Sequence, residues 1–317
     1  MRKFKYDNIQ GSVSTRKQWA AHNRRKKSRN GSFRAGIIIF LCFLLLILIA
    51  FCVILFIRVS GHMGGEEQPV VLTQKNRETE EAAQETTTEY IWSDAVNGLP
   101  SEQEVLEEGR KVVYLTFDDG PSRNTDRILD VLKECRVKAT FFTVGKEDYD
   151  DEYKRIVAEG HTIGMHSYSH DYGLIYSSVE AFDKDFNKIS DHIESITGVK
   201  PTLYRFPGGS SNTVSDIPME KFIRYLNDRD ITYYDWNALA GDAEGKEISA
   251  DDMIDRIIQD VKKYDVSVVL LHDTNVLDTT VDMLPELIKR LRALGAEMLP
   301  ITSTSTVIQH VAADSVK

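Results

Sequence analysis

Apolar runs alternate with amphipathic stretches from about residue 111 to the C-terminal region of the chain. The apolar runs have the length and composition of buried strands, and the longer stretches repeat apolar residues every three to four positions, as helices do. The predicted strands are 112–117, 139–144, 162–165, 202–206, 231–236, 267–271 and 297–300. The predicted helices are 125–135, 153–158, 179–197, 219–228, 250–264 and 281–294. This alternation predicts an α/β fold with a largely parallel sheet or barrel, in which chemistry collects at the carboxyl ends of the strands.

Local signals mark the ends of several predicted helices. Ser177 and Glu180 have the spacing of a capping box ahead of the helix over 179–197. Gly160 and Gly295 each follow a predicted helix, where glycine commonly ends helical geometry. These signals support the predicted order of elements.

The N-terminal region has a different pattern. Residues 1–34 contain eleven Lys and Arg against one Asp, and the 23 residues of 35–57 contain no charge. A helix of that length is roughly 34 Å long, enough to cross about 30 Å of hydrocarbon. A cleaved signal peptide is the competing interpretation, but its apolar core is usually about 7–15 residues long. We therefore predict an uncleaved single-pass membrane anchor, with the basic N-terminus in the cytoplasm and the rest of the chain outside.

The net charge of −10 is distributed unevenly around this span. Because the leader is strongly basic, the external part is more acidic than the average suggests. Acidity disfavours a nucleic acid partner, whose phosphates would repel it, and the external part contains no phosphate-binding loop. Cys42 and Cys52 lie within the predicted span, and Cys135 is the third cysteine of the chain. The external part therefore cannot form an intramolecular disulfide.

The sequence divides into five predicted segments. Residues after the span are rich in Glu, Gln and Thr and poor in large apolar residues, which is typical of a solvated tether, with a short helix near 101–108. The segments are a basic cytoplasmic leader (1–34), a transmembrane helix (35–57), an extracellular stalk (58–110), an α/β domain (111–305) and a C-terminal tail (306–317).

Acids and histidines follow two of the predicted strands. Asp118 and Asp119 are adjacent acids, an unfavourable pair unless a cation or a proton relieves it, although Asp-Gly-Pro is also an ordinary turn. His166 and His170 stand at i and i+4, which places both on one face of a helical turn, a spacing suited to zinc. With Asp119 they complete a His₂-carboxylate set that leaves coordination positions open for water and substrate.

Three later strand ends carry groups that could complete a reactive site. Arg205 can pair with a carboxylate and hold it ionised, and Gly208 after it lets backbone N–H groups approach a ligand closely. His272 ends an apolar strand and has the ordinary pKa of an acid–base group. We expect Asp235, at another strand end, to hydrogen-bond the far ring nitrogen of His272 and to raise its pKa.

Taken in order, these clusters resemble the five motifs of polysaccharide deacetylases of the NodB-homology type, carbohydrate esterase family 4. The segments that carry the resemblance are TFDDGP, HSYSH, RFPGG, DWN and LLHD. The resemblance covers residues 111–302 and implies a distorted (β/α)7 barrel. It also implies metal-dependent removal of N-acetyl, and occasionally O-acetyl, groups from glycans.

The resemblance assigns a role to each matching position. It implies a catalytic base (Asp118), an arginine paired with it (Arg205), three metal ligands (Asp119, His166, His170), a catalytic acid (His272) and a carboxylate that tunes this acid (Asp235). It also implies an apolar wall for the acetyl group, formed by Trp236 and Leu270. The family often has Tyr at the position of Gly208, where the backbone N–H contributes to the oxyanion hole. Glycine keeps that N–H and loses any contact of the tyrosine ring.

The implied activity is hydrolysis of N-acetyl groups of N-acetylglucosamine in cell-wall peptidoglycan, with release of acetate. Zn²⁺ is the favoured cofactor, and Co²⁺, Mn²⁺, Ni²⁺ and Fe²⁺ suit the same ligands. The alternative substrate is a different extracellular polysaccharide, which could be poly-N-acetylglucosamine, a chitin oligomer or acetylxylan. A non-catalytic glycan-binding protein is the alternative from a different class. It is disfavoured because every inferred catalytic and metal position holds a competent residue.

Overall fold

The computed structural model describes residues 98–245 and 248–316. The predicted leader, the predicted membrane span and most of the predicted stalk lie outside these residues. Within the described ranges, no helix combines the length and the apolar character needed to cross a membrane.

The predicted parallel α/β architecture is confirmed. The strands are β1 (Lys111–Asp118), β2 (Thr140–Thr143), β3 (Thr162–Met165), β4 (Leu203–Tyr204), β5 (Thr232–Tyr233), β6 (Ala238–Leu239), β7 (Val266–His272) and β8 (Ala296–Met298). They form one sheet in the order β5-β4-β3-β2-β1-β7-β6, and β8 pairs with the beginning of β1. Every strand pairing recorded among the described residues is parallel.

Side chains of β1 alternate between two separate cores. Val113, Leu115 and Phe117 join the larger core, which also contains the apolar faces of the helices. Val112 and Tyr114 join a smaller inner core. Its other members come from strands across the sheet and from the chain around them (Val105, Phe142, Leu203, Tyr234, Val268, Leu299 and Ile301).

A contact between β1 and the end of β4 shows that the sheet is curled. β4 lies three strands from β1, about 14 Å away in a flat sheet, yet Arg205, the residue after β4, donates to the hydroxyl of Thr116 on β1 at 2.6 Å. β5 and β6 end the path, and no pairing between them is recorded within the described ranges. The fold is thus a curled, open half-barrel. Since side chains alternate, Asp118 lies on the same inner face of β1 as Val112 and Tyr114.

Most of the helices cover the outside of the sheet, and the first of them packs against the inner core. They are α1 (Glu102–Glu107), α2 (Thr125–Cys135), α3 (Asp150–Ala158), α4 (Tyr172–Ile175), α5 (Val179–Thr197), α6 (Glu220–Asn227), α7 (Ala250–Val261) and α8 (Asp278–Ala293). The predicted cap of α5 is off by one residue, because the side chain of Ser178, not Ser177, accepts from the Ala181 N–H. Gly160 and Gly295 both have positive φ after their helices, as predicted.

Two short elements near the strand ends are absent from the predicted set. β6 has two residues and α4 has four, too few for either periodicity to appear in the sequence. Two of the predicted strands are also shorter than expected, since β4 and β5 keep two paired residues each. The chain around β4, β5 and β6 therefore forms loops that lie over the strand ends.

Both ends of the described chain pack onto the domain. Ser101 caps α1 through a capping box with Glu104, and Val105 is fully buried in the inner core. Glu102 accepts hydrogen bonds from Tyr114 and Thr306. The packed structure thus begins before β1 and includes the segment after residue 305.

Candidate active site

A buried ion pair lies at the end of β1. Asp118 is 2% exposed and Arg205 is fully buried, and Nη1 of Arg205 lies 2.9 Å from Oδ1 of Asp118. The same nitrogen donates to the Thr116 hydroxyl, 2.6 Å away, and Nε donates to the carbonyl of Tyr234. Nη2 donates to the carbonyl of Asp235. The guanidinium is therefore satisfied on several sides and holds one oxygen of the Asp118 carboxylate in place.

The pKa of Asp118 reflects opposing influences. Burial raises the pKa of this carboxyl above its ordinary value, while the charges of Arg205 and His272 and the hydrogen bond from Arg205 act to lower it. A cation next to the pair would lower it further. The environment suits a carboxylate that exchanges a proton at its second oxygen, Oδ2.

Asp119, His166 and His170 converge on one point. Their ligand atoms all lie within 4.8 Å of one another. Nε2 of His170 lies 3.1 Å and Nε2 of His166 lies 3.6 Å from Oδ1 of Asp119. This oxygen is buried and accepts no hydrogen bond from the residues that the structure describes. A buried carboxylate oxygen without a donor, faced by two imidazole nitrogens, fits a divalent cation with a His₂-carboxylate set.

A hydrogen bond orients the imidazole of His166, and another fixes the backbone of His170. Nδ1 of His166 lies 2.8 Å from the carbonyl of Arg205, so this nitrogen carries the proton and leaves Nε2 free as a ligand. Burial lowers the pKa of His166 to about 3, which keeps the ring neutral, as a metal ligand must be. The N–H of His170 donates to the hydroxyl of Ser167, 3.0 Å away.

The loop that carries both histidines is anchored to helix α5. Asp185, on α5, accepts from the N–H of Tyr168 at 2.6 Å and from the N–H of Ser169 at 3.0 Å. Asp185 is 7% exposed, so these bonds form out of contact with most of the solvent. Its carboxylate thereby fixes the two residues that lie between His166 and His170.

Three non-glycine residues of the cation site have left-handed backbone. Their φ values are 72° for Asp119, 85° for Ser167 and 49° for His170. Each such residue is costly, on the order of 1 kcal/mol, and persists where surrounding contacts hold it. The concentration of strained residues around one set of ligand atoms is typical of a functional site.

His272 lies beside Asp118 and pairs with an aspartate that the sequence analysis did not select. The two residues are partners in the β1–β7 register. Oδ1 of Asp242 lies 2.8 Å from Nδ1 of His272, and Oδ2 accepts from the His272 N–H at 2.9 Å. Burial acts to lower the pKa of His272, but the hydrogen bond and the charge of Asp242 outweigh it, and the pKa rises to about 9.

The predicted hydrogen bond between Asp235 and His272 is therefore wrong. Asp235 is fully buried, and its carboxylate accepts from the N–H of Ser210 at 2.8 Å and from the N–H of His310 at 2.7 Å. One signal could have pointed to Asp242. It follows the small apolar segment Ala238–Ala240 and a glycine, which is the pattern of a strand end.

The predicted substrate-contacting residues occupy different positions around the site. Leu270 is two residues before His272 on β7 and so shares its face of the sheet. Gly208 is exposed, with φ of 78°. Trp236 is half-buried, and its ring lies 5.9 Å from the guanidinium carbon of Arg205 and packs against the ring of His310.

Comparison with known proteins identifies the family of the chain. A family model described as polysaccharide deacetylase matches residues 106–221. The catalytic domain of a peptidoglycan N-acetylglucosamine deacetylase from Eubacterium rectale is 39% identical, with a TM-score of 0.62. The match covers 64% of this chain and 94% of that domain. The chain belongs to the polysaccharide deacetylase family. The predicted family is thus confirmed, and with it the assignment of the protein as a hydrolase.

Curated relatives extend the comparison. A peptidoglycan-N-acetylglucosamine deacetylase of Bacillus cereus is 32% identical over 193 residues, which are 59% of this chain and 68% of that protein. The peptidoglycan-N-acetylmuramic acid deacetylase PdaC of Bacillus subtilis is 33% identical over 215 residues. That match covers 67% of this chain and 42% of PdaC. The similarity lies in the domain that carries the site.

Proposed function

We propose that the protein removes N-acetyl groups from N-acetylglucosamine residues of peptidoglycan and releases acetate. The observation that carries this proposal is the arrangement of three groups around one space: the Asp118–Arg205 pair, the cation ligands and the His272–Asp242 pair. Amide hydrolysis needs a base for water, an electrophile for the carbonyl and an acid for the amine. The names of the Eubacterium rectale and Bacillus cereus relatives support this substrate.

Asp119, His166 and His170 would hold the cation. When bound there, a divalent metal such as Zn²⁺ supplies Lewis acidity at the amide carbonyl of the substrate. Open sites of this composition also accept Co²⁺, Mn²⁺, Ni²⁺ and Fe²⁺.

Asp118 acts as the base in this proposal. Because Arg205 occupies Oδ1, the oxygen available to a water molecule is Oδ2, which lies 3.7 Å from Nε2 of His166 on the side of the cation ligands. The water gives its proton to Oδ2 as its oxygen bonds to the amide carbon. The charge of Arg205 and its hydrogen bond act to lower the pKa of Asp118 and so favour the ionised carboxylate against the effect of burial.

His272 acts as the acid. Its Nδ1 is bonded to Asp242, so Nε2 is the nitrogen that gives a proton to the amine as the C–N bond breaks. A pKa of about 9 means that the ring is protonated at neutral pH. The products are acetate and a glucosamine amine.

We assign Gly208, Trp236 and Leu270 to the substrate. The N–H of Gly208 is proposed to donate to the oxygen that becomes negative in the transition state, where loss of one donor costs about 3 kcal/mol. The acetyl methyl group is proposed to contact an apolar surface formed by Leu270 and Trp236. Leu270 is two residues before His272 on β7.

We further propose that residues 35–57 anchor the protein in the cell membrane, with the domain outside. The uncharged length of this segment and the basic residues before it support the proposal. An outward-facing domain would lie on the side of the membrane where cell-wall glycan is found. Protease accessibility of the domain in intact cells tests this orientation, and protection of the domain would contradict it.

Acetate release from defined glycans tests the activity. The full chain in detergent, with and without added Zn²⁺, is incubated with peptidoglycan, poly-N-acetylglucosamine, chitin oligomers and acetylxylan. We expect Zn²⁺-dependent release from peptidoglycan, with free amines on glucosamine and not on muramic acid. Free muramic acid amines, or release only from another polymer, would change the substrate. Glycan binding without release in metal-loaded protein would support the non-catalytic alternative.

A further inference from the structure

Asp235 is a fully buried acid that the proposed reaction does not use. Its Oδ1 accepts from the N–H of Ser210 at 2.8 Å, and its Oδ2 accepts from the hydroxyl of Ser210 at 2.5 Å and from the N–H of His310 at 2.7 Å. A buried carboxylate with several donors is costly to disturb, because each donor would lose its partner in a place that water does not reach. The donors come from two separate stretches of chain.

The first stretch is the loop after β4, which contains Gly208. Gly208 and the next residue, Gly209, have φ values of 78° and 82°, a backbone that favours glycine. A Cβ on Gly209 would lie 3.2 Å from Oδ1 of Asp235 and 3.1 Å from Cη2 of Trp236. The loop therefore lies directly against Asp235 and Trp236, with no space for a side chain between them.

The second stretch is the C-terminal segment, residues 306–316. The carbonyl of Ile308 accepts from the N–H of Asp235 at 2.8 Å, and the N–H of Val311 donates to the hydroxyl of Ser210 at 3.0 Å. Nε2 of His310 lies 2.8 Å from the carbonyl of Trp236. The segment thus contacts both Asp235 and the Gly208 loop and closes the network around the carboxylate.

Asp235 also contacts the base side of the site through its backbone. Its carbonyl accepts from Nη2 of Arg205 at 3.1 Å, and Nη1 of the same guanidinium binds Asp118. One residue is therefore connected to the Asp118–Arg205 pair through its main chain and to the Gly208 loop through its side chain.

We propose that Asp235 is a positioning residue, which fixes the Gly208 N–H through Ser210, with the C-terminal segment as the second support of its carboxylate. The proposal rests on the proposed function, in which this N–H donates to the developing oxyanion. A donor that acts in the transition state contributes to kcat more than to KM. A small displacement of such a group can cost about 100-fold in rate.

The test compares Asp235→Asn and Ser210→Ala with wild-type full chain. Asparagine would place an NH₂ group against a donor, either the Ser210 N–H or the His310 N–H. We expect kcat to fall about 10- to 100-fold for Asp235→Asn, with KM and Zn²⁺ affinity nearly unchanged. The alkaline limb of the pH profile should stay in place.

Ser210→Ala, which keeps the backbone N–H, should show a smaller loss of kcat, also with KM nearly unchanged. Asp314→Asn, an exposed acid in the same C-terminal segment, is the matched control.

Amide hydrogen exchange in the same variants needs no substrate. We expect faster exchange at Gly209–Ser211 and at Val311 for Asp235→Asn and Ser210→Ala, and unchanged exchange for Asp314→Asn. Unchanged exchange at the loop in both test variants would overturn the proposal, as would unchanged kcat in both. A shifted alkaline limb in Asp235→Asn would also overturn it. If the wild type releases no acetate from any glycan, the proposed function fails, and hydrogen exchange still decides the role of Asp235.

Discussion

Nδ1 of His272 lies 2.8 Å from Oδ1 of Asp242, and this pair joins the end of β7 to the loop after β6. Oδ2 of Asp242 accepts from both the His272 N–H and the hydroxyl of Thr280, which lies on α8. The carboxylate therefore has a fixed orientation and holds one tautomer and one ring position of His272.

Replacement of this aspartate should change the pH dependence of the reaction. In Asp242→Asn the two main influences that raise the pKa of His272 are lost, while burial, which lowers it, remains. The pKa should fall from about 9 toward or below the ordinary value. Because the acid must be protonated, the alkaline limb of the kcat profile should move to lower pH by at least about one unit. With the pKa at its ordinary value of about 6.5, the protonated fraction of His272 at pH 8, and with it the activity, should fall about 30-fold.

The control for this prediction is Glu244→Gln, which removes an exposed carboxylate two residues further along the same loop. Its pH profile should match that of the wild type. An unshifted alkaline limb in Asp242→Asn would contradict the assignment of His272 as the acid that Asp242 tunes.

Asp118→Asn should separate proton transfer from metal binding. The amide cannot take a proton from water, so kcat should fall by about 1,000-fold or more. It also leaves Arg205 buried beside a neutral group, and the free energy of unfolding should fall by about 3 kcal/mol. Zn²⁺ content should stay at the wild-type level, because Asp119 and both histidines are unchanged. Turnover close to wild type would contradict the role of Asp118, and metal analysis of the same sample checks the ligands.

Removal of the metal should abolish activity reversibly. Removal of one metal ligand should abolish it permanently. Chelator-treated wild type should lose acetate release and regain it with Zn²⁺, whereas His166→Ala should neither retain Zn²⁺ nor recover. Ser169→Ala is the control, because it lies between the two histidines and its hydroxyl accepts only from the N–H of Asp171 among the described contacts. Full activity of metal-free wild type would contradict the metal assignment.

Asp185→Asn should weaken metal binding although Asp185 is not one of the proposed metal ligands. An amide offers one acceptor oxygen in place of two, so the N–H of Tyr168 or Ser169 loses its partner. We expect Zn²⁺ affinity to fall about 10-fold, which is the lower end for groups that orient ligands. Calorimetric titration measures it. Asp191→Asn, exposed on the same helix, should bind Zn²⁺ as the wild type does, and equal affinity in Asp185→Asn would exclude this anchoring role.

Much of the fold could be predicted because its strands are long enough to show their pattern. The prediction over 112–117 falls within β1, and that over 162–165 matches β3. The candidate cation ligands could also be predicted, since the two histidines share one short segment and Asp119 directly follows a long apolar strand. β6 gave no such signal, because two residues cannot show a period of two.

The error at Asp235 has a related physical cause. Asp235 and Asp242 both follow strand residues, and the sequence does not state which of them lies on the inner face beside β7. That depends on the pairing of β6 with β7, where Ala238 and Leu239 align with Val269 and Leu270. This register carries the chain past the strand ends so that Asp242, and not Asp235, comes to His272.

The hydrogen bonds that hold the cation ligands have a consequence for how the protein matures. His166 is fixed by a backbone carbonyl, and the loop to His170 is fixed by Asp185 and Ser167, so none of these restraints requires the ion itself. Folding and metal loading are then separate events, and the domain should reach its native structure before it acquires zinc. The supply of metal, rather than the yield of folding, would set how many molecules become active.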